Sequence, residues 1–344
     1  MALSTPTSPH IHNGNSVTKV MLQVVAALVP GVMAYVWFFG PGVVVNMVLA
    51  TVTALAVEAL SLAVRGRPLP PFLSDGSAVV TGCLLALALP PLAPWWLVVL
   101  GAAFAIIIGK QLFGGLGFNP FNPAMLGYVM LLISFPVEMT HWLAPAMLAP
   151  HTPDLGETLR YVFAGQLPPA LTLDSLTMAT PLDAVKTQLG LDLSVGEIVR
   201  QPQFGALGGV GWQWINLAFL AGGLWLIRKK IIGWQIPVSM LGTLTLLATV
   251  FHLIDAEHYA SPLFHLFSGA ALLGAFFIAT DPVSASTTPR GRLIFGAGIG
   301  LLTYVIRTFG GYPDGVAFAV LLMNMAAPLI DHYTRPRVYG HDRD

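Results

Sequence analysis

The run DSLTMATPLD, Asp174 to Asp183, gathers two carboxylates and three hydroxyls in a chain in which only 9% of residues are charged. Thr180-Pro181-Leu182-Asp183 has the pattern of a helix start, with Thr as N-cap, Pro at the first helical position and an acid at the third. Unpaired N–H groups and the macrodipole at such a start also favour a phosphate. Both readings hold together if Thr180 itself bears the phosphate.

Other residues able to do chemistry are few. Cys83 is the single cysteine, so this chain alone builds no disulfide, CxxC redox pair or cysteine-ligated iron–sulfur cluster. Redox chemistry here requires an organic cofactor. His10 and His12 have no third ligand nearby and read as tail rather than as a metal site. Glu58 lies within an apolar stretch, where a carboxylate is a functional hypothesis by default; about two turns from Arg65, it could instead snorkel to an interface. Arg307 and Asp314 flank the turn FGGYPDG and could pair.

These groups are held by a membrane scaffold. Hydrophobic residues make up 55% of the 344, Lys+Arg and Asp+Glu are 16 each, and mean hydropathy is +0.74, far from a soluble domain. With no net charge and no basic tract, there is no electrostatic case for nucleic acid as a partner. A bilayer core needs about 20 mostly apolar residues per helix. Ten stretches meet this approximately: 19–39, 42–64, 76–93, 95–112, 118–136, 208–227, 234–254, 262–280, 292–310 and 315–332. The expected fold is an all-α polytopic membrane protein of about ten transmembrane helices, with one large extramembrane connection at 137–207. Residues 1–18 carry no positively charged start followed by a short apolar core, and read as a tail rather than a signal peptide.

If the N-terminus is cytoplasmic, the inward loops hold Lys19, Arg65, Arg67, Lys110, Arg228, Lys229, Lys230, Arg290, Arg292, Arg335, Arg337 and Arg343. Arg160, Lys186, Arg200 and Arg307 are left outside. Twelve against four selects this orientation by the positive-inside rule, and makes 137–207 periplasmic. Trp95, Trp96, Trp212 and Trp214 fall at span ends, as interfacial anchors do.

The two halves echo each other. VVTGCLLALALPP in the third span precedes FGGLGFNPFNPAMLGYVMLL, and ALLGAFFIATDP in the eighth precedes FGGYPDGVAFAVLLMNMAAP. Five spans lie on either side of the large connection, so the second copy runs in the opposite sense. This is an inverted-topology repeat, a plan whose sites lie near the pseudo-twofold axis at interrupted helices. The expected domains are a tail at 1–18, repeat 1 at 19–136, the connection at 137–207, repeat 2 at 208–332 and a tail at 333–344. Asn119-Pro120 and Asn122-Pro123 put non-helical backbone at the mouth of the fifth span. Such backbone survives at membrane depth only when buried in protein or lining a polar cavity.

DSLTMAT resembles the Asp-x-x-Ser/Thr-x-Ala-Thr acceptor motif on which a flavin transferase places FMN, through a phosphoester to the final Thr. The resemblance continues through SPHIHN, PPLAPWW, KQLFGGLGFNPFNPAMLGYVMLLISFPV, TDPVSASTTPRGRLIFG, FGGYPDGVAFAVLLMN and YTRPRVYGH. Over essentially its whole length the chain is similar to the D subunit (RnfD) of Rnf-type ion-translocating electron transport complexes, and more distantly to the B subunit of the sodium-pumping NADH:quinone reductase. Met178 stands where a small or polar residue is more usual.

This resemblance implies covalent FMN on Thr180, with Asp174, Thr177 and Ala179 as acceptor-motif residues. It further implies a second, non-covalent riboflavin or FMN within the membrane part, for which Asn119 and Asn122 are the candidates. The expected protein is an FMN-bearing subunit of an ion-pumping oxidoreductase in the bacterial inner membrane. Electrons from ferredoxin or NADH would reach it through the other subunits, coupled to Na⁺ or H⁺ transport. Its partners would be those subunits, membrane lipid and, during maturation, the flavin transferase. The rival from another class is a urea-transporter-like solute channel, since an inverted repeat with broken helices suits that too and fold does not fix function. An acceptor motif in an exterior loop separates the two.

Overall fold

The computed structural model describes residues 16–169 and 171–335; His10, His12 and most of YTRPRVYGH lie outside them. The chain begins with α1 (Val17–Phe39) and α2 (Gly42–Val64), followed by the short α3 (Leu69–Leu73) and α4 (Ser77–Ala88). Next come α5 (Trp95–Ile106), continued by a π-helical turn Ile107–Gln111, and α6 (Pro123–Ser134). The connection folds into α7 (Pro136–Thr140), α8 (Leu155–Ala164), α9 (Leu173–Leu176), α10 (Pro181–Leu189) and α11 (Val195–Ile198). The second half holds α12 (Trp212–Arg228), α13 (Gln235–Ile254), α14 (Pro262–Phe267), α15 (Ala271–Leu273) with a π-helical turn Gly274–Ile278, α16 (Pro289–Phe309) and α17 (Val316–Thr334).

Helix occupies all ten apolar stretches, as a polytopic membrane protein requires. Six segments are long and apolar enough to cross a membrane: Val17–Phe39, Gly42–Val64, Leu69–Ala88, Gln235–Ile254, Pro289–Phe309 and Val316–Thr334. Trp95–Gln111 and Pro123–Ser134 are shorter. The fifth stretch is shorter than 118–136 because each X-Pro step keeps its predecessor out of the α region, so helix begins only at Pro123.

Packing repeats between the halves. In the first, α2 packs on α4 and α5, and α5 on α6; in the second, α13 packs on α14 and α16, and α16 on α17. Helices α1 and α12 pair with each other, as do α6 and α17, which places those contacts where a pseudo-twofold axis would pass. The FGG turns fall at opposite ends. Gly114 and Gly115 adjoin Arg65 and Arg67, whereas Gly310 and Gly311 adjoin the folded connection through Lys186.

Each half also has a broken helix whose break is tied by a buried cation. Gly76 (φ 81°) precedes α4, and Gly269 (φ 63°) precedes α15; both lie in the left-handed region that glycine enters without steric cost. Lys110 Nζ donates to Ser77 Oγ at 2.6 Å. Arg307 Nη2 donates to the Ser268 carbonyl at 3.3 Å and Nη1 to that of His265 at 2.6 Å. The break at 268–269 was not foreseen from sequence.

Glu58 does not snorkel. It is 1% exposed and pairs with Lys110 at 2.5 Å, while Gln111 Nε2 donates to the same carboxylate oxygen at 2.8 Å. Lys110 is correspondingly not a loop charge but a buried one, also 1% exposed. Arg307 and Asp314 do pair, at 3.1 Å.

Candidate functional site

Thr180 has extended backbone (φ −62°, ψ 157°), and its Oγ1 accepts from Asp183 N at 3.3 Å, the N-cap geometry expected of a Thr-Pro start. Leu182 and Val185 of α10 pack into a small core with Val195, Ile198, Ala260 and Phe264. Burying each such side chain is worth about 1.5–3 kcal/mol, so α10 is anchored by its apolar face. Two further contacts fix its position. A Cβ at Gly209 would collide with the Pro181 ring, and Lys186 Nζ donates to the carbonyls of Arg307 (3.1 Å) and Tyr312 (3.2 Å).

Thus placed, Thr180 and Asp183 stand in the wall of a cavity of about 330 Å³ at the end of the bundle covered by the connection. Its other walls include Tyr35 of α1, Tyr128 of α6, Trp142, Trp212 and Asn216 of α12, and Asp314. Ring centroids of Tyr35 and Trp142 lie 6.2 and 5.3 Å from that of Trp212, a spacing typical of aromatic packing. Tyr35 Oη and Asn216 Oδ1 are buried without a hydrogen-bond partner. Buried polar atoms are nearly always paired, so both are available to a polar ligand in the cavity. Burial pushes the Asp183 carboxyl up, opposed by Lys186, and pushes the Lys186 ammonium down, opposed by Asp183.

A second cavity, of about 390 Å³, lies at the opposite end. Its polar lining includes Ser77, Thr81, Lys110, Asn119, Asn122 and Asp281. Asn122 caps α6 through Met125 N (3.2 Å), and its Nδ2 donates to the Ile278 carbonyl at 3.3 Å, tying the two halves. Asn119 Nδ2 donates to Phe121 O at 3.0 Å, but its Oδ1 is buried without a partner.

The profile of the NQR2, RnfD, RnfE family matches residues 4–340. The chain belongs to that family. Over 349 aligned residues, 99% of each chain, it is similar to proteins named as the D subunit of an ion-translocating oxidoreductase complex: 55% identical to that of Escherichia fergusonii and 57% to that of Salmonella arizonae.

Of the acceptor-motif residues, only Thr180 lines the cavity. Asp174 is exposed on α9 and Ala179 is exposed beside Thr180, while Thr177 bridges to Leu143 and its N–H donates to Leu173 O at 3.0 Å. These three therefore shape the backbone leading to Thr180 without facing the space it enters. Sequence reading missed Tyr35, Tyr128 and Asn216, which lie in ordinary apolar spans. A signal did exist for Asn216, one of two amides, with Gln213, in an otherwise oily helix. Trp212, expected as an interfacial anchor, instead packs against Tyr35, Phe39 and Trp142; Trp95 and Trp214 remain exposed, as an anchor would be.

Proposed function

We propose that this chain is the D subunit of an ion-translocating oxidoreductase complex, carrying FMN as a phosphoester on Thr180 and relaying electrons coupled to movement of Na⁺ or H⁺. The observation that carries the reading is the position of Thr180 Oγ1. It caps a nine-residue helix in the wall of an aromatic cavity that also presents unpartnered Tyr35 Oη and Asn216 Oδ1. A flavin bound there supplies a one- or two-electron carrier, which the described residues otherwise lack since they hold no metal-ligand cluster.

The chain's own residues have separate tasks. The first turn of α10 offers N–H groups and a positive dipole end to the phosphate. Tyr35, Tyr128 and Trp212 offer ring faces and edges, and the packed connection limits water. Covalent attachment removes the entropic cost of holding a free cofactor. On this reading the cavity at 180 faces the periplasm across the bacterial inner membrane, with the N-terminus cytoplasmic. The exposed apolar ridges, for example Val48, Leu60, Leu253 and Leu322, meet lipid and the other subunits of the complex. The flavin transferase acts during maturation.

The opposite cavity fits a second, non-covalent flavin. Asn119 Oδ1 and Lys110 would hold its polar edge, and Phe277 lines the same space. A plain solute channel has no use for an acceptor hydroxyl in a cavity wall. Fluorescence under ultraviolet light after denaturing electrophoresis tests the reading: a band from protein made with the transferase, lost in Thr180→Ala, is expected, and a dark band in the unsubstituted protein would refute it.

A further inference from the structure

Resting on FMN at Thr180, we propose that Asp183 is the proton-binding group that compensates negative charge arriving in the loop-end cavity. Asp183 shares the first turn of α10 with the acceptor, its N–H 3.3 Å from Thr180 Oγ1, and both residues face the same space. Its carboxylate takes no hydrogen bond and enters no ion pair among the described residues. The cations nearby make no ion pair with it, although the charge of Lys186 still favours its ionised form. Lys186 Nζ serves the carbonyls of Arg307 and Tyr312. Arg307 serves Asp314 and the carbonyls of His265 and Ser268.

The other carboxylate around the cavity is already engaged. Asp314 already has Arg307 and the N–H groups of Ala270 and Val316 on its two oxygens. Tyr35, Tyr128 and Tyr312 present phenol hydroxyls, not carboxylates. A phosphodiester on Thr180 adds one negative charge, and an electron adds another, in a half-buried space where charge is weakly screened. Asp183 is the group left with open lone pairs. Burial already raises its affinity for a proton, and the phosphodiester raises it further.

A one-electron carrier of a partner subunit is oxidised, and the flavin gains its electron. One proton from water at the loop end binds a carboxylate oxygen of Asp183, and the net charge of the cavity is unchanged. Reoxidation by the next one-electron carrier removes the electron, the proton returns to water, and no bond forms between Asp183 and the flavin.

The test is the reduction potential of the Thr180-linked flavin in the intact complex, measured against pH, in the unsubstituted protein and in Asp183→Asn, Asp183→Glu and Asp183→Ser. The expected result is a potential that falls more steeply with pH in the unsubstituted protein and Asp183→Glu than in the Asn and Ser variants, with the fluorescent band present in all four. Superimposable pH profiles with flavin attached would overturn the role of Asp183. Absence of the band from the unsubstituted protein would overturn the acceptor assignment instead, so the two failures are distinct.

Discussion

Lys186 Nζ lies 3.2 Å from the carbonyl oxygen of Tyr312, a residue 126 positions further along the chain. With its second bond, to Arg307 O, this amine joins α10, the helix capped by Thr180, to the FGG turn of the second half. That turn carries Asp314, whose Oδ2 accepts from Ala270 N at the helix break. One side chain thus connects α10, the turn and the break.

Lys186→Met is expected to loosen this arrangement without unfolding the bundle. A charge-assisted hydrogen bond is worth about 1.5–3 kcal/mol, with the lower end expected here because the amine is only partly buried. Hydrogen exchange should speed up in 181–189 and 310–315 and stay unchanged in α2 and α13. Equal protection in variant and parent would mean that the apolar face of α10 suffices.

Thr180→Ala removes one cap, a loss of about 0.5–2 kcal/mol, while α10 keeps the core formed by Leu182 and Val185. Assembled complex should persist and electron throughput should vanish. Loss of the complex itself, seen on a native gel, would make Thr180 chiefly structural.

Glu58 and Lys110 are predicted to be strongly coupled. Lys110→Met leaves a carboxylate at 1% exposure without its cation, which costs about 3–5 kcal/mol. The double variant Glu58→Gln, Lys110→Met should recover most of this. Thermal unfolding in detergent reads it, and purely additive shifts would contradict a coupled pair.

Asn119→Ala should affect ligand more than fold. It gives up one hydrogen bond to Phe121 O, worth about 0.5–1.5 kcal/mol, together with the free Oδ1. Acid-extractable flavin per chain is expected to fall while covalent flavin does not. Unchanged extractable flavin would remove Asn119 from that site.

Protein made without the transferase should show the pH dependence of Asp183 directly. Its carboxyl is raised by burial, so the folded state binds more protons than the unfolded one. Its contribution is full below the unfolded value, about 3.9, and is lost as pH rises through the folded value. Asp183→Asn should therefore raise the thermal midpoint at neutral pH relative to the parent and lose that gain in acid. A midpoint difference independent of pH would contradict this.

Much of the fold was legible because a bilayer enforces length and apolarity, and helices appear in all ten stretches marked from composition. Thr180-Pro181 was legible for a local reason: cap, fixed φ and an acid at N3 are decided within four residues. The partners of Glu58 were not, since Lys110 is 52 residues away and reads as a loop charge beside Phe113-Gly114-Gly115. The break at Ser268-Gly269 was hidden for the same reason. Arg307 and Asp314 satisfy its backbone groups from a distant turn, and neither Ser nor Gly marks a break by itself. The cavity walls at Tyr35, Tyr128 and Asn216 depend on how the two halves meet, which no single window of sequence contains.

Mass spectrometry of the peptide containing Thr180, from protein purified out of its native membranes, tests the state of Thr180 Oγ1 most directly. That peptide is predicted to be heavier by one FMN joined through phosphate, with fragment ions placing the added mass on Thr180 rather than Thr177 or Ser175. An unmodified peptide, or flavin on another residue, would contradict it.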